Sequence, residues 1–396
     1  MPQLRSIRPV ASLDHDSIPC FRPVIGRQEI EAVVAVMRSG WLTTGSKARE
    51  FELKFAEFLG GGVEAVAVNS ATAGLHLAAE ACGIGPGDEV IVPTLTFTAT
   101  GSVIRYLGAE VVLVDVEEGT LTIDLDHAKR RLTPNCKAIM PVHFGGLPCD
   151  MTKVLAFARR HGLKVIEDAA HALPTRCGGR MIGAWESDAS VFSFYATKPI
   201  TTGEGGMIVT RDPRIAERAR TMRSHGLNRD AFDRFRKVGA SWNYDVVAPG
   251  YKYNMTDVAA AVGVVQLERV YALQAARQRA AERYFQRLAD LPLDCPAPAP
   301  AGSLHSWHMF PIRVHKTARA TRDDLIAALA ADGIGTSVHY RPLHQMIYWK
   351  QRYPAKPNDF PVADRYFAGA VTLPLFPGIS DAQVDRVAQV VRRVLK

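Results

Sequence analysis

The stretch 193–206, SFYATKPITTGEGG, holds a single lysine, Lys198, between a strand-like segment and a glycine-rich turn. No acidic residue precedes Glu204 in this stretch, so the lysine has no acidic partner close to it in sequence. A lysine at a strand end has an ordinary structural explanation, because its aliphatic stem can cover apolar surface. A lysine whose pKa is lowered by its surroundings can instead form a Schiff base with a carbonyl compound.

Three further groups of residues precede Lys198. The first is NSATAG at 69–74, whose small hydroxyl residues either cap a helix or help to hold a phosphate. The second is Phe97, just past a strand end, which is a core aromatic or a ring that stacks on a flat cofactor. The third is Asp168, at the end of an apolar strand, with His171 one turn later. A carboxylate there is a helix cap or the partner of a cationic heterocycle.

Each of these features alone is better explained as structural, but their order indicates a pyridoxal phosphate site. A phosphate cradle, an aromatic ring and an acid come first, and Lys198 follows 30 positions after Asp168. Enzymes that use this cofactor pair a Schiff-base lysine with an acid at the pyridinium nitrogen. The chain has no GxGxxG after its first strands, no GxxxxGK[ST], no HExxH and no CxxC. We therefore expect neither a dinucleotide site, nor a P-loop, nor a metal site.

The elements that must position these residues alternate between short apolar runs and helical patterns, which is typical of an α/β sheet buried on both faces. The runs lie at 64–68, 89–93, 110–116, 137–144, 164–170, 189–194 and 206–210. A helix is expected between Asp150, its N-cap, and Gly162. A long helix is predicted from about Thr256 to Leu288. After a proline-rich break at 291–303, the pieces HMFPIRV, TRDDLIAALAADG, GTSVHY and a final helix predict a smaller α+β unit.

The composition is that of a mildly basic globular protein. The 396 residues include 48 basic and 40 acidic ones, which gives a net charge of +8, and the mean hydropathy is −0.03. This balance suits either an ordinary basic protein or a pocket for a polyanionic small molecule. Nucleic acid is a weaker alternative, because no dense basic run is interleaved with aromatics. Six scattered cysteines, no recognisable signal peptide and no apolar run of about 18 residues predict a cytoplasmic protein without membrane insertion.

The motifs resemble those of the DegT/DnrJ/EryC1/StrS sugar aminotransferases, which have fold-type I. Over about residues 20 to 270 the matching pieces are, in order, RSGWLTTGSKAREFE, NSATAGLHLA, PTLTFTATGSVI, VDVEEGTLTID, PVHFGGLPCDM, VIEDAAHA, SFYATKPITTGEGGMIVT, MRSHGLNRD and PGYKYNMTDVAAAVGVVQL. The piece SVHYRPLH extends the match into the tail. The GYKYN form is most similar to members that act on 4-keto nucleotide sugars, including those that form UDP-4-amino-4-deoxyarabinose.

This resemblance implies a cofactor site for pyridoxal 5′-phosphate, with pyridoxamine phosphate formed during turnover. It implies a homodimer with shared active sites, in which Asn254 reaches the phosphate of the partner subunit. The catalytic residues implied are Lys198 and Asp168. The cofactor contacts implied are Ser70, Ala71, Thr72 and Ser193 at the phosphate, Phe97 on the ring, and His171 beside Asp168. Candidates for binding the sugar nucleotide are Arg229, Lys252, His339 and Tyr340.

The fold implied is a large domain over 1–265, with an N-terminal arm to about residue 25 and a mixed, mostly parallel seven-stranded sheet. A small C-terminal domain over 266–396 is joined to it through a long helix. Two positions depart from the family pattern. Pro199 follows the lysine where many members carry asparagine, and SATAG replaces a phosphate loop that more commonly contains cysteine or glycine.

The function implied is transfer of an amino group from glutamate to a keto group, expected at C4, of a nucleotide-linked deoxy sugar, in polysaccharide or lipopolysaccharide biosynthesis. One alternative is a sugar 3-dehydratase that uses pyridoxamine phosphate, but such members carry histidine at the position of Lys198. Another is a non-catalytic binding or regulatory protein on the same scaffold, which would not need to keep Lys198 and Asp168. The sequence leaves the nucleotide, the position of the keto group (C3 or C4) and the pathway open.

Overall fold

A central sheet contains the predicted apolar runs. The computed structural model describes residues 17–228 and 244–396. Its strands are β1 (Glu64–Val68), β2 (Glu89–Pro93), β3 (Glu110–Val114), β4 (Cys136–Ile139), β5 (Lys164–Asp168), β6 (Arg176–Cys177), β7 (Arg180–Met181), β8 (Ala189–Ser193), β9 (Gly206–Thr210), β10 (Leu293–Asp294), β11 (Phe310–Val314) and β12 (Ala370–Leu373). Seven of them form one sheet in the order β1-β9-β8-β5-β4-β2-β3, and β6 and β7 form a separate hairpin. The predicted seven-stranded sheet is confirmed.

The direction of the strands brings the motif residues to one edge of this sheet. Strand β9 is antiparallel to both β1 and β8, and the remaining neighbours are parallel. The carboxyl ends of β1, β2, β5 and β8 therefore lie at the same edge, where β9 also begins. Open α/β sheets bind their ligands at this edge. The residues that follow these strand ends are NSATAG, the segment with Phe97, Asp168 with His171, and the loop with Lys198.

Helices cover both faces of the sheet. They are α1 (Arg27–Ser39), α2 (Ser46–Phe58), α3 (Ala71–Ala81), α4 (Ala99–Tyr106), α5 (Leu125–Arg130), α6 (Met151–His161), α7 (Pro213–Met222), α8 (Asp257–Glu268), α9 (Val270–Leu288), α10 (Arg322–Ala331), α11 (Ile347–Arg352), α12 (Pro361–Gly369) and α13 (Asp381–Leu395). Alternate residues of β1 enter different cores, Val66 and Val68 with α3 and Ala65 and Ala67 with α2. Among the described helices, none combines the length and the hydropathy that crossing a bilayer requires.

The C-terminal part forms the predicted smaller α+β unit. Its antiparallel sheet has the order β10-β11-β12, and α9, α10 and α13 contribute to its core. Strand β12 was not predicted from the sequence. The segment GTSVHY forms no strand and contributes only a bridge between Ser337 and Thr372. The division of the chain at 265/266 stays a prediction.

The prediction of one uninterrupted helix from Thr256 to Leu288 was wrong. Helix α8 ends at Glu268 and α9 begins at Val270, with Arg269 between them at φ −99° and ψ −2°. The Arg269 guanidinium pairs with the buried carboxylate of Glu29 in α1. An ion pair with a distant helix thus fixes Arg269, the residue between α8 and α9.

Helix α2 is capped by a residue distant in sequence. Its N-cap, Gly45, has no side chain, and Asp257 of α8 accepts hydrogen bonds from the backbone N–H groups of Gly45 (2.7 Å), Lys47 (3.1 Å) and Ala48 (3.0 Å). A Cβ at position 45 would lie 2.2 Å from the Trp41 indole nitrogen, so a side chain has no room there. The Asp257 carboxylate therefore supplies the acceptors that a side-chain cap usually supplies.

A close backbone approach fixes the start of β9 against the start of α3. A Cβ on Gly206 would lie 2.7 Å from both the Ala71 nitrogen and the Ser70 carbonyl carbon. We expect Gly206→Ala to lower the free energy of unfolding by about 1–3 kcal/mol, because backbone atoms on both sides would have to move. Denaturant unfolding of the purified protein measures this change.

The control is Gly85→Ala, since a Cβ at position 85 meets no atom within 4 Å and the backbone is not left-handed. Equal stability of the two variants would contradict the close approach.

Candidate active site

A cavity of about 500 Å³ lies at the carboxyl edge of the sheet. Most of the residues predicted for the site border it: Ser70, Ala71, Thr72, Phe97, Asp168, His171, Ser193, Lys198, His339 and Tyr340. The structure therefore brings together groups that come from four strand ends and from the C-terminal unit.

Lys198 presents its amine to this cavity. It lies in the loop between β8 and β9, where its backbone N–H donates to the carbonyl of Tyr195 at 2.9 Å. The side chain is half-buried, because part of it borders the open cavity. The amine itself lies deep inside the protein. Burial lowers the pKa of Lys198 to about 8, and the charge of Asp168 opposes this shift. Among the described residues, no carboxylate lies within 4 Å of its Nζ and none accepts a hydrogen bond from it.

Asp168 ends strand β5 and is buried, with 5% of its surface exposed. Its Oδ2 accepts a hydrogen bond from the Thr100 hydroxyl at 2.8 Å, and its Oδ1 accepts one from the Ala170 N–H at 3.1 Å. Burial raises the pKa of Asp168, and these hydrogen bonds together with the charge of Lys198 work against the rise. The carboxylate is thus fixed in orientation and has capacity left to accept a proton donor from the cavity.

His171 is held as a neutral imidazole. Its Nδ1 accepts a hydrogen bond from the Gly145 N–H at 3.3 Å, so the ring proton is on Nε2, which donates to the Tyr340 hydroxyl at 3.2 Å. Burial, followed by the charges of Lys198 and neighbouring histidines, lowers the pKa of His171 well below its ordinary value. The ring therefore adds hydrogen bonding and shape beside Asp168 without adding charge.

The opposite end of the cavity has the chemistry of a phosphate site. Ser70 is the N-cap of α3, and its hydroxyl accepts from the Ala73 N–H at 3.1 Å. The first residues of α3, Ala71 and Thr72, border the cavity together with Ser193 at the end of β8. The N-terminus of a helix favours an anion through its free N–H groups and its dipole.

An exposed aromatic ring forms one wall between these two ends. Phe97 is 57% exposed, an unusual value for a phenylalanine inside a cleft, and its ring centroid lies 6.0 Å from that of Tyr340. An aromatic face left open beside a cavity suits a flat ring stacked on it.

The residues present therefore fit pyridoxal phosphate. A hydroxyl-rich helix start lies at one end, a buried acid at the other, an open aromatic face between them, and an amine of lowered pKa on the wall. Asp168 keeps free acceptor capacity that a protonated ring nitrogen would satisfy.

Two predicted residues, Asn254 and Lys252, do not border this cavity. The Asn254 side-chain amide donates to the Thr44 hydroxyl at 2.7 Å, and the Lys252 amine donates to Oδ1 of Asn254 at 2.5 Å. A third predicted residue, Arg229, lies outside the described residues. The roles of these three residues stay predictions.

Sequence reasoning missed Thr100, Tyr195, Glu204 and His308. Thr100 and Glu204 lie inside the quoted motifs, and alternation past the end of β2 could have indicated Thr100. His308 borders the cavity from the segment before β11, 110 positions beyond Lys198, and no local pattern indicates it.

The model of the DegT/DnrJ/EryC1/StrS aminotransferase family matches residues 23–392. The spore coat polysaccharide biosynthesis protein SpsC of Bacillus subtilis (strain 168) is 45% identical over 382 residues, which are 96% of this chain and 97% of SpsC.

Two solved structures show the same fold. The aminotransferase TlmJ from Streptoalloteichus hindustanus is 36% identical, with a TM-score of 0.86 over 96% of this chain and 98% of its own. The PLP-form of the putative sugar aminotransferase Spr1654 from Streptococcus pneumoniae is 33% identical, with a TM-score of 0.88 over 96% of this chain and 100% of its own. A PMP-form of that protein matches equally well.

The charge of Asp168 raises the pKa of Lys198 against the effect of burial. We therefore expect Asp168→Asn to lower this pKa below about 8. The measurement is the pH dependence of arylation of Lys198 in the cofactor-free protein, followed by mass spectrometry. Because only the free amine reacts, the midpoint of labelling should move to lower pH.

Glu204→Gln is the matched control, since Glu204 borders the same cavity but does not shift the pKa of Lys198. A midpoint that stays in place in Asp168→Asn would show that the two groups do not interact.

Proposed function

We propose that this chain, which belongs to the DegT/DnrJ/EryC1/StrS aminotransferase family and is a pyridoxal-phosphate-dependent sugar aminotransferase, transfers an amino group from glutamate to the C4 keto group of a nucleotide-linked deoxy sugar. The observation that carries the proposal is that Lys198 and Asp168 border one cavity without forming an ion pair. The PLP-form and PMP-form of the relative Spr1654 support the same cofactor here.

Pyridoxal phosphate, when bound, supplies an aldehyde that takes up the amino group and a ring that accepts electrons. Lys198 would hold it through Nζ. When released, the same Nζ would take the proton from the α-carbon of the donor as a general base. With its pKa at about 8, the amine is unprotonated at pH 7 roughly 300 times as often as an ordinary lysine.

Asp168 would bind the protonated nitrogen of the cofactor ring, and its ionised form is required for that role. Thr100 and the Ala170 N–H orient the carboxylate and favour its charge. Neutral His171 and Tyr340 would limit water around it without competing for the proton. Ser70, Ala71, Thr72 and Ser193 would hold the phosphate, and Phe97 would stack on the ring.

Binding of the nucleotide sugar needs groups besides those that would hold the cofactor. His339 and Tyr340 are the proposed contacts on the sugar side, because both border the cavity. Arg229 and Lys252 are the proposed contacts for the diphosphate. Their cationic side chains suit it, and the net charge of +8 agrees with an anionic substrate.

We further propose a homodimer in which Asn254 reaches the phosphate of the partner subunit. Asn254 is not among the residues that border the cavity of its own chain, and α1 exposes Ile30, Val34 and Met37. Exposed apolar residues on one helix are consistent with a contact surface. A cytoplasmic location belongs to the same proposal, because all six cysteines are free thiols.

SpsC supports a role in polysaccharide biosynthesis, since its name assigns it to that process. The alternative of a pyridoxamine-phosphate-dependent dehydratase is disfavoured by Lys198, where the resemblance implies histidine. A non-catalytic protein would have no need of an amine whose pKa is lowered to about 8.

Lys198→Ala should bind the cofactor without a covalent bond and show essentially no turnover, because both the anchor and the base are lost. Borohydride should fix the cofactor to the wild-type chain at Lys198 and leave the variant unmodified, as read by mass spectrometry. Lys153→Ala, which removes an exposed lysine from α6, serves as the control and should behave as wild type. Turnover by Lys198→Ala at the wild-type rate would disprove the role of this residue.

A panel of UDP-, dTDP- and GDP-linked 3-keto and 4-keto sugars, each assayed with glutamate, tests the substrate. We expect an amino sugar with nitrogen at C4 and stoichiometric release of 2-oxoglutarate, with ping-pong kinetics, because one cavity serves both half-reactions. Mass spectrometry and NMR of the products measure the position. Amination at C3, or loss of water without amination, would contradict the proposed reaction.

A further inference from the structure

His308 presents one ring nitrogen to the active-site cavity. Its backbone N–H donates to the Gly145 carbonyl at 3.0 Å, and its ring packs on His171 with 4.5 Å between the centroids. The residue is 7% exposed and borders the cavity. Nδ1 is enclosed and has no hydrogen-bond partner among the described residues, whereas Nε2 is the ring nitrogen that stays accessible.

Arg277 of α9 is a buried cation, and its charge acts on this histidine. It is 3% exposed, and its one hydrogen bond among the described residues runs from Nη2 to the Lys198 carbonyl at 3.5 Å. Its Nε and Nη1 find no acceptor there, and no carboxylate lies within 4 Å. Burial lowers the pKa of Arg277 to about 10, so the side chain still carries its charge at neutral pH.

The groups whose charges act on the pKa of His308 are a lysine, an arginine and two histidines, with no carboxylate among the described residues. Lys198, His171, Arg277 and His339 each lower the pKa of His308, in addition to the larger effect of burial. Such surroundings disfavour a further positive charge and favour an anion. These surroundings would stabilise an anion in the cavity without any change in the protonation state of His308.

The cavity wall has few other groups for an anion at this end. Among its described residues there is no arginine, and Lys198, whose amine has to remain available for chemistry, is the single lysine. The wall does contain the carboxylates Asp168 and Glu204. To bind a dicarboxylate substrate, the cavity therefore needs a hydrogen-bond donor that is itself neutral and lies close to a fixed positive charge.

We propose that His308, with the buried charge of Arg277 acting on it, binds a carboxylate group of the amino donor. This inference rests on the proposed function for the presence of a dicarboxylate donor such as glutamate. The subsite is positively polarised without exposing a charged side chain, so that the same space also accepts the uncharged face of a sugar in the second half-reaction.

The unsatisfied atoms explain how the pair would work. Arg277 has N–H groups without acceptors, and His308 Nδ1 is an enclosed ring nitrogen without a partner. One buried water that accepts from Arg277 and donates to Nδ1 would satisfy both and leave the ring proton on Nε2. Nε2–H then donates to the carboxylate of the donor. Arg277 is thus a positioning residue, and His308 is the residue that touches substrate.

The experiment measures binding of glutarate, a five-carbon dicarboxylate that cannot react, to the cofactor-loaded enzyme by calorimetry. His308→Phe keeps the ring volume without its nitrogens and should weaken glutarate binding about tenfold to a hundredfold, the range for loss of a hydrogen bond to a charged group. His308→Gln keeps an N–H donor and should restore part of the affinity. Arg277→Met should weaken binding about threefold to tenfold.

Arg279→Met is the matched control, since Arg279 is exposed two positions further along α9, and it should bind glutarate as wild type does. Nitrogen NMR of the histidine rings supplies a second measurement. His308 should carry its proton on Nε2 in the wild type and lose that preference in Arg277→Met. In steady-state assays, KM for glutamate should rise in His308→Phe while KM for the sugar changes less than twofold.

Equal glutarate affinity in wild type, His308→Phe and Arg277→Met, with glutamate accepted as donor, would overturn the subsite and leave the proposed function intact. Rejection of glutamate by the wild-type enzyme would instead contradict the proposed function, and the subsite would lose its ligand with it.

Discussion

The site depends on keeping an amine and a carboxylate in one enclosed cavity without letting them pair. Burial lowers the pKa of Lys198 and raises that of Asp168, and each opposes the shift of the other through its charge. A direct ion pair would stabilise the protonated form of the lysine. The Thr100 hydroxyl and the Ala170 N–H bind the Asp168 carboxylate, which borders the same cavity as Lys198.

The sheet topology provides this separation. Asp168 ends a parallel strand in the middle of the sheet, whereas Lys198 lies on the loop by which β8 turns back into the antiparallel strand β9. Close contacts at two glycines hold the segments around the cavity in place. Gly206 packs on the start of α3, and Gly146, with φ +100°, leaves no room for a Cβ, which would lie 1.9 Å from the Ser306 hydroxyl. The second contact positions the segment that carries His308.

The electrostatics of the remaining wall follow from the same constraint. His171, His308 and His339 are all held neutral, chiefly by burial and then by the positive charge of Lys198. Neutral imidazoles offer hydrogen bonds to a sugar or to a carboxylate and do not compete with Lys198 for protons. Arg277 is buried and does not border the cavity, so its positive charge acts on the wall from within the protein.

The sequence by itself determined what depends on neighbours along the chain. Helix α6, with its cap Asp150 and its left-handed Gly162, and strands β1, β2 and β9 agree with their predicted positions, because capping and alternation act over a few residues. For the same reason, their motifs predicted that Lys198 and Asp168 share one site, and both border the same cavity. Only the tertiary structure decided the cap of α2 by Asp257, the division of α8 from α9, and the burial of Arg277 and His308 beside Lys198. Their partners lie tens to hundreds of positions away, and no local pattern records which distant side chain will fill a gap in the packing.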